Sequence, residues 1–477
     1  MPALHDFATW EPVLRLLRAA HPERLAAPGG QVVGRIGLFG WSLDLPRPTP
    51  PPGRAAQVED VQDEFDAVQR VQEALAEAGA DDMAFAAEIR RDGRTVLHLI
   101  GSSPAVTPGI GDPHPGSLIL VEDAVPEPWR RLPEPMPHAV PHPSADPELL
   151  ERTLRERLPD AVGATGAEIA AAEARLGVPL PAELRALYRV TRAHWEDEEN
   201  GEDEERGENG ENGQDWGDGE DSYAVSEAVG CEVLPLDEVF LADASTRPAD
   251  WRFAAKDAVV TPPDAAVQGL VGSPGWIVFG DNGGGDLIAV DLTPGPAGHT
   301  GQIIMIGHED HTGADLLAGS LTDLVVNLPE DARRGGHAGH RPPAVGYVNH
   351  ASIGSVEEAA HPGLEVLSIG AVEEGQRFGL APVVGLPRLR TLSAYPGTLA
   401  DPLEIAQLTG LEFLALSPED WRVLLDASAV PRSLSAAAVE VYGDRPPLSV
   451  VALANEILAL WSRPPIPVTV LEGTLAR

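Results

Sequence analysis

The side chains best suited to chemistry surround a run of three glycines at positions 283–285. Asp281, Asp286 and Asp291 flank this run. Aspartate carboxylates can bind calcium, but the ligand spacing of an EF-hand is missing. The N–H groups of consecutive glycines can bind phosphate, but no Lys or Ser/Thr follows at P-loop spacing, and the aspartates would repel the anion. The pattern therefore favours a tight, acidic loop between two strands.

Two histidines form the best candidate for a metal site. His308 and His311 are three residues apart, with His299 nearby, and this spacing is not the HExxH motif that places two ligands one helical turn apart. The single cysteine, Cys231, excludes a cysteine-based zinc site. The chain also lacks a Gly-x-Ser-x-Gly elbow. We therefore predict no catalytic residue, no metal and no cofactor, with a metal-dependent hydrolase using His308 and His311 as an alternative.

The elements that position these residues are predicted to be strands. Residues 276–279 are a short apolar run that begins with Trp276, and residues 287–292 alternate, with Ile288 and Val290 on one face. Residues 293–300 are rich in Pro and Gly, and residues 302–306 are again apolar. This order predicts a β-meander in which the glycine run is an exposed loop.

Charge restricts the possible partners. The 477 residues include 34 Lys and Arg against 74 Asp and Glu, a formal net charge of -40. Nucleic acid and anionic membranes would be repelled, whereas a basic protein would be attracted. Residues 1–20 lack the basic start and apolar h-region that are typical of a signal peptide, and no run approaches the roughly twenty apolar residues of a membrane span. We predict a cytoplasmic protein that binds neither nucleic acid nor membrane.

The middle of the chain resembles a known family. Thr165 and Glu168 form a capping box at a helix start, and residues 173–188 then join two helices through an LG-x-x-LP segment. Together with residues 234–239 and the stretch 276–291, this order resembles the SMI1/KNR4 (SUKH) family. The resemblance covers about residues 150–330, and residues 312–328 would supply a closing helix.

The resemblance implies an α+β fold with a β-sheet flanked by helices and no shared catalytic chemistry. Many bacterial members of the family look like immunity proteins that neutralise a toxin, and fungal members are regulatory interaction proteins. The contact face would then be the tryptophan-initiated strand and glycine loop, with Trp276, Asp281, Gly284, Asp286 and Asp291 as partner-binding residues.

An acidic insert departs from the family pattern. Residues 196–221 contain fourteen acidic residues and one arginine. Such a segment cannot bury enough apolar surface to offset its ordering entropy, so we predict disorder. It is either a solvated spacer or an electrostatic lure for a basic partner, with Glu202, Asp203 and Trp216 as contact residues.

The rest of the chain is predicted to form two further domains. Residues 1–122 are predicted to be a small α+β domain, and residues 123–148, rich in proline, a semi-rigid linker to the SMI1/KNR4-like domain at 149–330. After a second linker at 331–346, residues 347–477 contain a weak repeat in which Leu364, Leu389 and Leu411 are 25 and then 22 residues apart. This period resembles leucine-rich repeats, and a short leucine-rich-repeat-like α/β stack is expected, or an ordinary α/β segment with coincidental leucines.

These observations predict a non-enzymatic protein-binding protein. The leading hypothesis is an immunity or regulatory protein that occludes a protein partner, possible partners including a basic toxin such as a nuclease. A regulatory scaffold without a toxin partner is the second hypothesis, and the hydrolase described above is the third.

Overall fold

The computed structural model describes residues 3–46, 61–107, 118–193, 217–327, 344–371, 375–442 and 445–476. The first part of the chain contains the elements α1 (Phe7–Ala20), α2 (Pro22–Ala26), β1 (Val32–Gly37), β2 (Gly40–Leu43), α3 (Gln62–Ala78), β3 (Asp82–Ile89), β4 (Arg94–Ile100), β5 (Val106–Thr107) and β6 (Ile119–Val121). The apolar stripe of α1 is buried, and Gly93 adopts a φ of 88° in the β3–β4 hairpin, as the Asp-Gly pair predicts.

The middle of the chain follows with helices and a second set of strands. Its elements are α4 (Glu127–Arg130), α5 (Pro147–Arg157), α6 (Gly166–Leu176), α7 (Ala182–Val190), α8 (Gly217–Val229), β7 (Glu232–Val233), β8 (Phe240–Leu241), α9 (Trp251–Ala254), β9 (Trp276–Asp281), β10 (Leu287–Asp291), β11 (Gln302–Ile306) and β12 (Asp315–Ala318). The capping box is confirmed, because Thr165 Oγ1 accepts a hydrogen bond from Glu168 N and Glu168 Oε2 accepts one from Thr165 N.

The last part of the chain alternates short strands with helices. Its elements are β13 (Val345–Val348), α10 (Val356–Ala359), β14 (Val366–Ile369), β15 (Thr391–Ala394), β16 (Phe413–Leu416), α11 (Pro418–Asp426), β17 (Ala436–Val439), α12 (Pro447–Leu460) and β18 (Val468–Thr474). Among the described residues, no helix combines the length and apolar character needed to cross a bilayer.

The chain divides into two compact units, which we describe separately. The first unit combines residues 1–124 with residues 346–477, and the second comprises residues 125–345. In the first unit, one sheet has the strand order β18-β4-β3-β1-β2 and the other has the order β13-β14-β15-β16-β17-β6-β5. Each sheet therefore contains strands from both ends of the chain.

This arrangement differs from the two separate domains expected at 1–122 and 347–477. All seven residues of β18 pair with β4, and β6 pairs with β17. β18 is thereby the edge strand of a sheet formed otherwise by the first part of the chain, and β6, with β5 beyond it, extends a sheet formed mainly by the last part. Pairings between residues more than three hundred positions apart leave no local signal in the sequence.

Parallel strands carry the second leucine of each repeat, three residues after Leu364, Leu389 and Leu411. β14, β15 and β16 are adjacent and parallel, with Leu367, Leu392 and Leu414 in register, and β17 continues the series. All three leucine side chains lie in one apolar core with α11 and α12. The interval between successive repeat leucines is therefore the number of residues in one strand plus the connection that leads to the next parallel strand.

The sheet of the second unit contains the predicted meander. Its strand order is β12-β11-β10-β9-β7, with β8 also pairing with β9, and β9, β10 and β11 coincide with the three predicted strands. The helix predicted at 312–328 is only partly correct, because β12 occupies its first half and helical turns begin at Leu321. The leucine spacing in this segment indicated a helix, but the segment pairs with β11 and is a strand instead.

The proline-rich segment after residue 124 belongs to the second unit and is not simply a linker. Trp129 is buried, and its indole N–H donates to Arg247 O at 3.1 Å. Glu134 exchanges two hydrogen bonds with the Gln268 side chain, each at 2.8 Å. Because prolines lack N–H groups, the segment cannot form the regular backbone hydrogen bonds of a strand. It is held instead by side chains and by the backbone N–H groups of its other residues.

Candidate protein-binding site at the glycine loop

The glycine loop connects β9 to β10 and is held by its own side chains. Asn282 Oδ1 accepts hydrogen bonds from Gly284 N at 2.8 Å and from Asp286 N at 3.1 Å. Asp281 Oδ1 accepts one from Gly283 N at 2.5 Å. Residues 282–285 are exposed, so the loop presents backbone and a small number of polar atoms on an ordered frame. Asp281 and Gly284 therefore lie where a partner can reach them.

Asp286 ties this loop to the end of β11. Its Oδ1 accepts from His308 N at 2.9 Å and from His308 Nδ1 at 2.8 Å, and its Oδ2 accepts from Asn282 Nδ2 at 2.7 Å. The hydrogen bond from the His308 backbone, with further help from its ring and from Asn282, holds the pKa of Asp286 below its usual value. Asp286 is therefore a charged brace within the loop as well as part of its surface.

Two predicted contact residues lie inside the domain instead. Trp276 and Asp291 are each 0% exposed. Asp291 Oδ1 accepts from Thr293 N at 2.7 Å, and its Oδ2 accepts from Gln302 Nε2 at 2.9 Å. Burial raises the pKa of Asp291 to about 6, although these hydrogen bonds lower it in part. We assign both residues a structural role, because a partner on the surface does not reach them.

Strand register collects carboxylates at one end of the sheet. Glu232 lies opposite Asp281 across β7 and β9, and Asp315 lies opposite Met305 across β12 and β11. The β11 end continues into Glu309, whose side chain is 88% exposed. We call the set the acidic edge; it consists of Glu232, Asp281, Asp286, Glu309, Asp310 and Asp315. Adjacent strands are about 4.8 Å apart, so the acidic edge extends across the end of the sheet from β7 to β12.

The two histidines of the alternative metal hypothesis face different carboxylates. His308 Nδ1 is 2.8 Å from Asp286 Oδ1, whereas His311 Nδ1 is 3.5 Å from Asp257 Oδ2 and its ring stacks on Phe253. Within the described ranges, no group of three His, Cys, Asp or Glu side chains is placed to hold a metal ion. The geometry there gives each histidine a pairing role.

The remaining predicted contacts cannot be placed. Glu202, Asp203 and Trp216 lie outside the described residues. The structure describes the end of the acidic insert, where α8 begins at Gly217, so disorder was predicted for five residues that are helical. The later turns of α8 bury Val225 and Val229 in the core of the second unit, and local composition does not reveal this tertiary contact.

Sequence reasoning missed Glu232, Glu309, Asp310 and Asp315 as members of the site. Each is an ordinary acidic residue in a chain rich in them, and strand register places Glu232 opposite Asp281 and Asp315 at the same end of the sheet. A useful signal was available, because each lies at the end of an apolar strand of the same sheet or just beyond it.

Comparison with known proteins agrees with this fold. The model of the SMI1 / KNR4 family (SUKH-1) matches residues 163–327. A "Glucan synthesis regulatory protein" of Neurospora crassa is 37% identical over 93 residues, which is 20% of this chain and 17% of the relative. A "Cell wall biosynthesis/cell cycle regulator smi1" of Schizosaccharomyces pombe is 38% identical over 73 residues, 15% of this chain and 14% of the relative.

A third relative, a "KNR4/SMI1 homolog" of Yarrowia lipolytica, is 45% identical over 61 residues, 13% of this chain and 8% of the relative. These alignments thus span less than a fifth of each relative's length. The glycine loop, its two strands and helices α6 to α9 lie inside the matched range, whereas α5 precedes it. Residues 163–327 of this chain are therefore a domain of the SMI1/KNR4 (SUKH-1) family.

Proposed function

We propose that this chain is a non-enzymatic protein-binding protein whose SMI1/KNR4 domain contacts a basic protein partner through the acidic edge and the glycine loop. The observation that carries the proposal is the placement of the six carboxylates of the acidic edge at one end of the sheet, beside an exposed, internally braced loop. Exposed backbone in the loop can approach a partner closely, because glycines have no side chain to intervene.

The charge of the chain supports a basic partner. A net charge of -40 creates a long-range field that attracts cationic surfaces and accelerates encounter. At contact, the carboxylates of the acidic edge would pair with Lys and Arg of the partner. Such complementarity contributes mainly to association rate and specificity, so binding should weaken steeply with salt.

In its specific form the proposal is immunity: the domain occludes a basic toxin, such as a nuclease, by covering its active surface. The nucleic-acid-binding face of such a toxin is itself cationic, so an acidic edge competes for it directly. A second candidate is a regulatory scaffold without a toxin partner. The names of the fungal relatives, which describe regulators, favour this second form.

The first unit gives the scaffold form a possible recruiting surface. We propose that β14–β17 and their connections form a leucine-rich-repeat-like stack, supported by the registered leucines Leu367, Leu392 and Leu414. Repeats of this kind use extended surfaces for binding. Cytoplasmic localisation remains part of the proposal and is consistent with the charge.

The test is affinity capture of partners at low salt with the full chain, followed by measurement of binding to each purified candidate at increasing salt. A charge-neutralised variant of the acidic edge carries Glu232→Gln, Asp281→Asn and Glu309→Gln. A matched control removes two glutamates and one aspartate elsewhere in the second unit, all exposed, through Glu156→Gln, Glu238→Gln and Asp160→Asn.

The acidic-edge variant should lose about tenfold or more in affinity for a basic partner, and the control should lose much less. Equal losses of affinity in both variants would show that binding depends only on the net charge of the chain, and would contradict a defined site. Rescue of cells from the captured partner by co-expression would identify immunity, whereas a non-toxic partner would favour the scaffold.

A further inference from the structure

A rigid hairpin in the first unit presents a fully exposed aromatic side chain. β1 and β2 pair in antiparallel register, with Gly37 opposite Gly40, so Leu38 and Phe39 form the turn. The Phe39 side chain is 102% exposed, the highest value among the large apolar side chains of the described residues. Polar residues and glycine are usual at such a turn, and the exposed phenyl ring of Phe39 buries no apolar surface within the fold.

The turn is fixed in place from beneath. Leu38 N donates to Asp81 O at 2.9 Å. Gln72 Nε2, on α3, donates to Gly37 O at 2.8 Å and to Leu38 O at 3.2 Å. Phe39 therefore projects from a preorganised backbone, and little conformational entropy would be lost when its ring enters a pocket.

Two more aromatic rings lie beside the turn. Trp41, on β2, meets Phe65 of α3 edge to face, with ring centroids 4.9 Å apart, and Phe65 is 37% exposed. The Trp41 indole N–H donates to Glu64 Oε1 at 2.6 Å. We call Phe39, Trp41 and Phe65 the aromatic tip. A central aromatic anchor with flanking aromatic area is the usual composition of a binding hot spot.

Three acidic residues lie on the elements that carry or support the aromatic tip. Asp63 and Glu64 stand on the first turn of α3, and Asp81 precedes β3 beside the turn that carries Phe39. Their charge disfavours an anionic lipid surface, because it would be repelled as the ring approached. It also disfavours a second copy of this chain, which would bring like charges together. A convex knob with an acidic rim fits a basic rim around an apolar pocket.

We propose that the aromatic tip is a docking anchor for a protein partner that offers an apolar pocket bordered by Lys or Arg. This surface belongs to the first unit, so the proposal does not depend on the acidic edge of the second. The partner receives the phenyl ring of Phe39 in its pocket, while its cationic rim faces Asp63, Glu64 and Asp81.

The test uses a random peptide library displayed on phage as the probe. Phage are selected on the full chain after removal of binders to Phe39→Ser, and the enriched peptides are synthesised for anisotropy titrations. Enriched peptides should combine apolar residues with Lys or Arg. Their affinity should fall at least about tenfold for Phe39→Ser and should weaken with salt.

Three controls keep the result specific. Phe39→Trp retains a large ring and should retain binding, whereas Leu132→Ser removes another highly exposed apolar side chain, 75% exposed, in the other unit and should change nothing. Circular dichroism should be the same for all variants, because Phe39 is outside the core.

Several outcomes would overturn the proposal. These are failure to enrich peptides on the wild type over Phe39→Ser, and enriched peptides that lack basic residues or ignore salt. Sedimentation showing Phe39-dependent self-association would assign the tip to a second copy instead. Flotation with phosphatidylserine vesicles that depends on Phe39 would assign it to membranes.

Discussion

Asp286 and His308 are joined twice through a single oxygen atom. Asp286 Oδ1 accepts from the His308 backbone N at 2.9 Å and from its ring Nδ1 at 2.8 Å. This double contact joins the start of β10 to the end of β11, and Asn282 Nδ2 adds a third hydrogen bond on the other oxygen. The Asp286 carboxylate therefore braces the glycine loop in addition to the hydrogen bonds that Asp281 and Asn282 accept from backbone N–H groups of the loop.

Replacing Asp286 by alanine should loosen the loop without unfolding the domain. The variant loses three hydrogen bonds, two of them to the same residue, and we expect the free energy of unfolding to fall by about 1–3 kcal/mol. Amide hydrogen exchange at residues 282–285 should accelerate. Asp264→Ala, at an exposed position, serves as the control and should change stability by less than about 0.5 kcal/mol. Unchanged exchange in Asp286→Ala would show that the brace is not what orders the loop.

Asp286 also predicts a dependence on acid. Its pKa in the folded state is lowered, so its contribution to stability is present above the ordinary value of 3.8 and is lost as pH falls through the folded value. The difference in unfolding free energy between wild type and Asp286→Ala should therefore be constant near neutrality and shrink only below about pH 4. Urea titrations followed by tryptophan fluorescence would measure it. A difference in unfolding free energy that already decreases at pH 6 would contradict a lowered pKa of Asp286.

Asp291 should produce the opposite trend. Because burial raises its folded pKa to about 6, above the ordinary 3.8, the folded state holds the proton more tightly and stability falls as pH rises between these values. Between pH 5 and 7.5 we expect this group to lower the free energy of unfolding by about 1–1.5 kcal/mol. Asp291→Asn cannot titrate, so subtracting its urea titrations from those of the wild type isolates the effect. A difference that is flat across this range would mean that Asp291 stays ionised in the fold.

Neighbouring glycines should differ sharply in their tolerance of a methyl group. A Cβ at Gly280 would lie 2.4 Å from the backbone oxygen of Glu232, so Gly280→Ala must push β7 away from β9. We expect a loss of about 2–4 kcal/mol. At Gly284 the nearest atom would be Asn282 Oδ1 at 3.2 Å, the end of a side chain, and we expect a loss under about 1 kcal/mol.

The variants Gly280→Ala and Gly284→Ala also distinguish an effect on stability from an effect on partner binding. Since Gly284→Ala leaves the fold nearly intact, any loss of partner affinity in that variant reports on the loop surface. Thermal melts of both variants provide the comparison. Equal destabilisation at the two positions would contradict the close approach of β7 to Gly280.

The C-terminal strand should be required by the N-terminal sheet. Deleting residues 467–477 removes β18 and exposes the whole edge of β4, so exchange of β4 and β3 amides should rise and the first unit should lose cooperative unfolding. Deleting only residues 476–477 is the control. If residues 1–122 folded by themselves, the longer deletion would leave the exchange of β3 and β4 amides unchanged.

Local sequence patterns were sufficient for the elements near the site. Apolar runs and glycine breaks located β9, β10 and β11, and the Thr165–Glu168 capping box fixed the start of α6. These features depend on periodicity and on hydrogen bonds between residues a few positions apart, and both are readable along the chain. The order of these elements was also enough to identify the family of the domain.

Tertiary structure alone decided which of the predicted contact residues are accessible. Asp281, Asp286 and Asp291 are the same residue type in one stretch, yet the first two reach the surface while the third is enclosed by Thr293 and Gln302. Neither the acidic edge nor the sheets shared by both ends of the chain follow from local pattern. They arise because strand pairing joins distant residues, and a pairing register is fixed by the whole buried face rather than by neighbours in sequence.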